Sequence, residues 1–217
     1  MKPLLIFDLD GTLYQIDKAW VPAVQQTFSD YGAPDLPAEV FRGRIGQRSE
    51  EMIAWYQEYI PQGSMEDFLT DLRRKTSGRM AETDYLFPAC RQTLQQLTGQ
   101  VGSMVVCSNG IRSYVDLVLE SHQIRSFFSG VYTADDGSKT KEGCIGKILE
   151  AYSHRPAVMV GDRNYDMLAA QANNIFSIGA SYGYGSPEEL YQADLLIGSI
   201  TELPAAVEIL VQRAASS

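Results

Sequence analysis

Residues 4–12 read LLIFDLDGT, an apolar run that leads directly into two aspartates, a glycine and a threonine. The run is short and has no polar side chain, which is typical of a strand buried on both faces of a parallel sheet. Alternation along a strand predicts that Asp8 and Asp10 lie on the same face, where their charges repel unless a cation or a shared proton compensates. Gly11 lets the chain turn sharply. Taken alone, the motif also suits a simple turn that closes a strand.

Further apolar runs recur along the chain and alternate with helical patterns. Buried strands that alternate with helices predict an α/β fold with a doubly wound parallel sheet. The predicted strands after the first are 104–107, 131–133, 157–160, 175–178 and 195–197, and the predicted helices are about 90–97, 111–122, 141–152 and 166–173.

Residues 15–84 break this alternation, because they contain no buried-strand run and their apolar side chains recur at helical spacing. We predict an α-helical cap subdomain at 15–84, inserted into a core domain made of 1–14 and 85–217. It should lie above the carboxyl ends of the strands, where open α/β sheets bind ligands. The helical spacing is seen at Trp20, Val24 and Phe28 and again at Met52, Trp55, Tyr56 and Tyr59.

Composition limits the function classes. Apolar residues make up 45% of the 217 and charged residues 21%, which is ordinary for a globular protein. A net charge of −9 without any basic block argues against nucleic-acid binding. The three cysteines are scattered and odd in number, which indicates a reduced intracellular protein. We see no targeting or membrane-spanning segment and expect a cytoplasmic location.

Three more polar clusters follow predicted strands. Residues 161–166, GDRNYD, place two acids where a helix begins, suited to a divalent cation or to simple helix capping. Ser108 to Gly110 offers a hydroxyl and backbone amides at a helix N-terminus, which suits phosphate or an ordinary cap. Lys141 opens a predicted helix, although Lys139 and Lys147 compete for the same role. Parallel strands bring all these ends to one edge of the sheet.

These clusters resemble the motifs of the haloacid dehalogenase superfamily of phosphohydrolases. The signature DxDGT matches Asp8 to Thr12, the second motif ends at Ser108, the lysine matches Lys141, and GDxxxD matches 161–166. The motifs stand in the family's order and span nearly the whole chain. The helical insertion resembles the family's C1 cap, and residues 181–190 resemble the phosphoglycolate phosphatase-like branch.

The resemblance implies a mechanism. Asp8 is expected to attack phosphorus as the nucleophile, and Asp10 to protonate the leaving alcohol and then deprotonate water. Mg²⁺ is expected on the Asp8 and Asp162 side chains and the Asp10 backbone carbonyl, with Asp166 supporting it through water. Ser108 and Lys141 are expected to hold phosphoryl oxygens in the catalytic centre. The expected substrate-binding residues are Thr12, Asn109, Gly110 and Arg44.

Several alternatives remain open from the sequence. The acid at Asp10 indicates phosphate esters as substrates, processed by hydrolysis or by a phosphomutase of the β-phosphoglucomutase type. A non-catalytic phospho-sensing module is disfavoured by Asp10 and by the large insertion at 15–84. Arg44 could reach the distal part of a small phosphorylated metabolite or be an ordinary solvated side chain. The candidate substrates are phosphoglycolate, a nucleoside monophosphate, a sugar phosphate, pyrophosphate and a phosphotyrosyl peptide; the protein could be a monomer or a dimer.

Overall fold

A parallel sheet forms the centre of the protein. The structure is a computed structural model that describes residues 2–80, 83–133, 135–136, 138 and 140–216. Within these residues the sheet has six strands in the order β3-β2-β1-β4-β5-β6, and each pair is parallel. The strands are β1 Leu4–Phe7, β2 Ser103–Ser108, β3 Gly130–Thr133, β4 Ala157–Gly161, β5 Phe176–Ala180 and β6 Leu195–Ile197.

The first strand is buried on both faces because its side chains alternate between two hydrophobic clusters. Leu5 and Phe7 pack into the larger cluster, which also contains residues of the helices Cys90–Gln100, Arg112–Ser121 and Leu203–Ser216. Leu4 and Ile6 pack into a second cluster with residues of the helices Lys141–Ala151 and Asn164–Ala172. Helices therefore cover both sides of the sheet, and the predicted doubly wound parallel fold is confirmed.

The predicted helices of the core are all present, with ends that differ by up to three residues. The short helix α9 and the C-terminal α10 are additional to the predicted set. Short 3₁₀ turns occupy Gln62–Ser64, Arg125–Phe127 and Ile200–Glu202. The helices are α1 Asp17–Asp30, α2 Ala38–Arg42, α3 Ser49–Tyr56, α4 Met65–Met80, α5 Cys90–Gln100, α6 Arg112–Ser121, α7 Lys141–Ala151, α8 Asn164–Ala172, α9 Pro187–Leu190 and α10 Leu203–Ser216.

The helices α1 to α4 build a separate hydrophobic cluster. Phe28 lies at its centre and makes ring contacts with Trp55 and Tyr56, both of which are almost fully buried. The aromatic side chains of α3 therefore form part of the interior, as their helical spacing predicts. Tyr59 packs against the same cluster, but it lies beyond the end of α3 at Tyr56, so the prediction that it belongs to that helix is wrong.

The two chain segments that connect these helices to the sheet pair with each other. Tyr14 forms an isolated bridge with Leu86, and the amide of Gln15 donates to the carbonyl of Tyr85 at 2.8 Å. Tyr14 is fully buried, and its ring packs edge-on against the imidazole of the buried His122. Tyr14 is therefore part of the core.

All three cysteines carry free thiols and are buried. No helix among the described residues has the length and apolar character needed to cross a bilayer.

Strand order places a ligand-binding edge at β1 and β4. The chain winds outward from β1 through β2 to β3, and then returns to β4 on the other side of β1. Open α/β sheets bind ligands at the carboxyl ends of the strands where the order reverses in this way. The residues that follow β1 and β4 are therefore the first place to look for a site.

Candidate active site

Three carboxylates converge at this edge of the sheet. Asp8 follows β1, Asp162 follows β4, and Asp166 lies in the first turn of α8. Each offers an oxygen that lies within 4.8 Å of the others, and their exposed fractions are 5%, 0% and 0%. Because α8 begins at Asn164, Asp162 precedes the helix instead of sharing a helical face with Asp166.

Burial makes the charged form of these acids unfavourable. It raises the pKa of Asp8 to about 6, although the nearby Lys141 charge acts in the opposite direction. Burial, followed by repulsion from Asp8 and Asp166, raises the pKa of Asp162 well above its ordinary value. The cluster therefore needs positive charge to keep its acids ionised at neutral pH.

Lys141 supplies part of that charge. It is the first residue of α7, only 8% exposed, and its Nζ lies 2.6 Å from both Asp8 Oδ1 and Asp166 Oδ1. Burial alone would lower its pKa, but the charges of Asp166 and Asp8 raise it well above the ordinary value. Lys147, one of the competing lysines, is exposed, and Lys139 lies outside the described residues. The structure thus brings Lys141 to the predicted site.

The carboxylate cluster fits a divalent metal ion. Three carboxylates face one ammonium, so negative charge remains to be compensated. Carboxylate oxygens are the ligands that Mg²⁺ prefers in proteins. The donor set is therefore chemically suited to the ion expected from the sequence.

Asp10 lies apart from these three acids and faces a cavity. The hydroxyl of Tyr114, on α6, donates to Asp10 Oδ1 at 2.5 Å. Burial raises the pKa of Asp10 to about 7, while this hydrogen bond acts to lower it. Such a pKa suits a group that exchanges a proton near neutral pH. Sequence reasoning missed Tyr114, because nothing in the pattern of α6 distinguishes this tyrosine from a core residue.

Ser108, Asn109 and Gly110 line the same cavity beside Asp8 and Asp10. Ser108 Oγ accepts a hydrogen bond from the Gly110 amide at 3.1 Å. The side chain of Asn109 makes a contact outside this segment, because its Nδ2 donates to the carbonyl of Gly46 at 3.0 Å. The predicted phosphate-holding segment is therefore at the cavity floor, and one of its side chains ties the floor to the loop after α2.

Thr12 and Arg44 are the other two predicted substrate-binding residues, and of these only Arg44 lines the cavity. Thr12 is fully buried, is absent from the cavity lining, and directs its hydroxyl to Asp162 Oδ1 at 3.5 Å. A buried hydroxyl needs a partner, and the carboxylate supplies one, so Thr12 faces the acid cluster. Arg44 does line the cavity, and its guanidinium lies 4.9 Å from the centre of the Trp55 ring.

The loop after β5 supports Asp162. The amide of Tyr184 donates to Asp162 Oδ2 at 2.7 Å. Gly183 allows this approach, since a Cβ there would lie 2.3 Å from Asp162 Cβ and 2.5 Å from the Gly11 carbonyl oxygen. Gly11 itself has a φ of +86°, a conformation that favours glycine. In the sequence, the repeated glycines of residues 181–185 are the feature that indicates this support. The motifs alone do not connect these glycines with the acids.

Arg163 links the acid cluster to the helices above it. Its guanidinium donates to the Ile45 carbonyl and to Glu189 Oε2, the latter at 2.9 Å. Together with the bond from Asn109 to Gly46, this contact holds the loop after α2 over the sheet edge. The space left between that loop, α3, α4 and α6 is a cavity of about 590 Å³ that opens onto Asp8 and Asp10.

Comparisons with known proteins show which family the chain resembles. A family model described as haloacid dehalogenase-like hydrolase matches residues 5–180. The phosphoglycolate phosphatase of Vibrio parahaemolyticus is 28% identical over 222 residues, covering 95% of this chain and 96% of the relative. That of Agrobacterium fabrum is 27% identical over 231 residues, covering 100% and 97%. A haloacid dehalogenase-like protein from Streptococcus pneumoniae has a similar fold, with a TM-score of 0.82, 23% identity, and coverage of 94% of this chain and 97% of that one.

Proposed function

The chain belongs to the haloacid dehalogenase-like hydrolase family, and from that premise we propose how it cleaves its substrate. It is a phosphoric monoester hydrolase. We propose that it hydrolyses small phosphorylated metabolites through an aspartyl-phosphate on Asp8 and that it requires Mg²⁺. The observation that carries the proposal is the position of Asp8, which touches Lys141, adjoins the two other buried acids and lines the cavity.

In the first step, an oxygen of Asp8 forms a bond to phosphorus and the bond from phosphorus to the alcohol oxygen breaks. Asp10, at the cavity wall, gives its proton to the departing oxygen. Its pKa of about 7 leaves a substantial protonated fraction for this step at neutral pH. In the second step, Asp10 takes a proton from the attacking water, inorganic phosphate leaves, and Asp8 is regenerated.

The phosphoryl group needs compensation for its negative charge. Ser108, Asn109 and Gly110 line the cavity, and the Ser108 hydroxyl and the amides of Asn109 and Gly110 suit the phosphoryl oxygens. The Lys141 ammonium contacts Asp8, which lines the same cavity, and adds positive charge beside it. The Asp8, Asp162 and Asp166 carboxylates and the Asp10 backbone carbonyl would hold Mg²⁺. When bound, the ion supplies Lewis-acid stabilisation of charge on the phosphoryl oxygens.

The chain division and location form part of the same proposal. We take 15–84 as a cap unit on a core of 1–14 and 85–217. The separate hydrophobic cluster of α1 to α4 and the pairing of the two connecting segments at Tyr14 and Leu86 support this division. A cytoplasmic location is supported by the three free thiols, which reducing compartments preserve.

The test is phosphate release from a panel of phosphate esters, measured with Mg²⁺, with EDTA, and in the Asp8→Asn variant. Release that needs Mg²⁺ and is abolished in Asp8→Asn is expected. Asp35→Asn, which removes an exposed acid far from the motifs in sequence, is the matched control and should retain activity. Acid quenching during turnover of labelled ester should leave label on the wild-type chain and none on Asp8→Asn. Release that persists in EDTA and in Asp8→Asn would refute the mechanism.

A further inference from the structure

The cavity above Asp8 and Asp10 is large for a small acid. Its volume of about 590 Å³ lies within the range of roughly 300–1,000 Å³ typical of pockets that enclose drug-sized ligands. In the proposed function the phosphoryl group would occupy only the part of the cavity lined by Ser108 to Gly110. A two-carbon group such as glycolate would leave most of the remaining space filled by water.

One wall of the cavity is apolar because two helices each turn one face toward it. The contributing positions recur at spacings of three and four residues, as expected for a single helical face. On α3 the lining side chains include Met52, Ile53 and Tyr56; on α4 they include Leu69, Leu72 and Met80.

The opposite wall is also apolar. Ile111, just before α6, and Leu117, on that helix, line the cavity and are 39% and 40% exposed. Leaving large aliphatic side chains exposed loses the stabilisation that burial provides. Apolar side chains on both walls are best explained by a ligand that covers them.

Polar groups also line the cavity above its floor, and they support a ligand in the same space; they are Arg44, Gln47, Ser49, Arg73, Thr76, Ser77 and Ser113. The amide oxygen of Gln47 is buried and has no hydrogen-bond partner among the described residues. Buried polar atoms normally have a partner, so a donor from a bound molecule would satisfy it. The Arg44 guanidinium packs against the Trp55 ring, with 4.9 Å between the guanidinium carbon and the ring centre.

We infer that the substrate of this site is a phosphate monoester with a bulky, mainly apolar leaving group, held between the faces of α3 and α4 and the α6 wall. The inference rests on the proposed function, since it names the substrate class of that same site. The aliphatic positions on both walls suit a leaving group with an extended apolar surface, which two-carbon acids and pyrophosphate lack.

The decisive experiment compares primary alkyl phosphates, namely ethyl, butyl, hexyl and 2-phenylethyl phosphate, with phosphoglycolate. The aliphatic leaving alcohols are similar in acidity, so differences report binding by the walls. Burial of one methylene predicts an increase in kcat/KM of about fourfold, or up to roughly 200-fold from ethyl to hexyl phosphate. Phosphoglycolate should be a poorer substrate than hexyl or 2-phenylethyl phosphate.

A substitution in the wall tests whether this cavity causes the trend. Leu117→Gln replaces a partly exposed side chain, so the fold should tolerate it, and it should reduce the hexyl-to-ethyl ratio of kcat/KM several-fold. Ile209→Gln is the matched control, since Ile209 is 44% exposed on α10 and does not line the cavity. It should leave the ratio unchanged. Thermal unfolding of both variants checks that each is folded.

The outcomes separate the inference from the proposed function. A flat or falling series, with Asp8-dependent release from all esters, would overturn the inference and leave the proposed function standing. So would a preference for phosphoglycolate over every longer ester, or a hexyl-to-ethyl ratio that is unaffected by Leu117→Gln. No phosphate release from any ester with Mg²⁺ would overturn both.

Discussion

Replacing Lys141 with methionine tests how the acid cluster is held together. Methionine is similar in length to lysine but has no charge, so Lys141→Met keeps most of the packing and removes the ammonium. Its Nζ lies 2.6 Å from both Asp8 and Asp166, and all three residues are buried. The variant therefore leaves carboxylates buried without their cationic partner.

The expected cost is large. Removing one partner of a buried ion pair typically destabilises a protein by about 3–5 kcal/mol, because the other charge stays buried. For a chain of this length, 1 kcal/mol shifts Tm by roughly 2–4 °C, so a decrease of about 6–20 °C is expected. The loss of stability caused by Lys141→Met should be greater at pH 8 than at pH 5.5. Burial raises the folded-state pKa of Asp8, and removing the lysine raises it further, so the folded state loses stability as the pH rises through that value.

The assay is thermal unfolding in EDTA at both pH values. Lys147→Met is the matched control, because Lys147 lies on the same helix but is exposed, with one hydrogen bond to the Asp136 carbonyl. It should change stability by no more than about 0.5 kcal/mol. If Lys141→Met and Lys147→Met unfold at the same temperature, the reasoning about the buried charges is wrong.

Three further predictions concern the residues around the acids. Tyr114→Phe removes the donor to Asp10, which raises the Asp10 pKa; the alkaline limb of the kcat/KM profile should therefore move to higher pH, and an unmoved limb would contradict this role. Mg²⁺ at about 100 times its Kd should stabilise the protein by about 2.7 kcal/mol, measured by thermal unfolding. Asp162→Asn should weaken this effect, and an equal effect in the variant would exclude Asp162 as a ligand. Gly183→Ala should lower both Tm and Mg²⁺ affinity, because the added Cβ would lie 2.5 Å or less from atoms of Asp162 and from the Gly11 carbonyl oxygen. An unchanged Mg²⁺ affinity in titration calorimetry would contradict this reasoning.

The fold could be predicted largely because its signals are local. The run from Leu4 to Phe7 is apolar at every position, and only a strand covered on both faces uses such a run. The helical insertion was visible from the spacing of apolar residues such as Trp55 and Tyr56. The position of Tyr59 outside α3 could not be predicted in this way. The end of α3 depends on how the following turn packs and not on the periodicity of apolar residues.

The acid cluster was predicted for a different reason. Asp8 and Asp162 each follow an apolar run, and parallel strands bring such ends to one edge. That argument identifies which residues meet without giving the partner of each side chain. The choice among lysines was left open in the sequence, and the structure places Lys141 against two acids, whereas Thr12 is directed to Asp162 and away from the cavity.

The sequence by itself determined the sheet, the helical insertion and the meeting of the acids, because strand burial and helical periodicity are properties of short segments. Only the tertiary structure decided that Tyr114 reaches Asp10, that Tyr184 supports Asp162, and that α3 and α4 line a cavity above Asp8 and Asp10. These contacts join residues distant in the chain, so they depend on the relative placement of elements. No local pattern contains that information, since a tyrosine on the inner face of a helix looks the same whether it meets a carboxylate or the core.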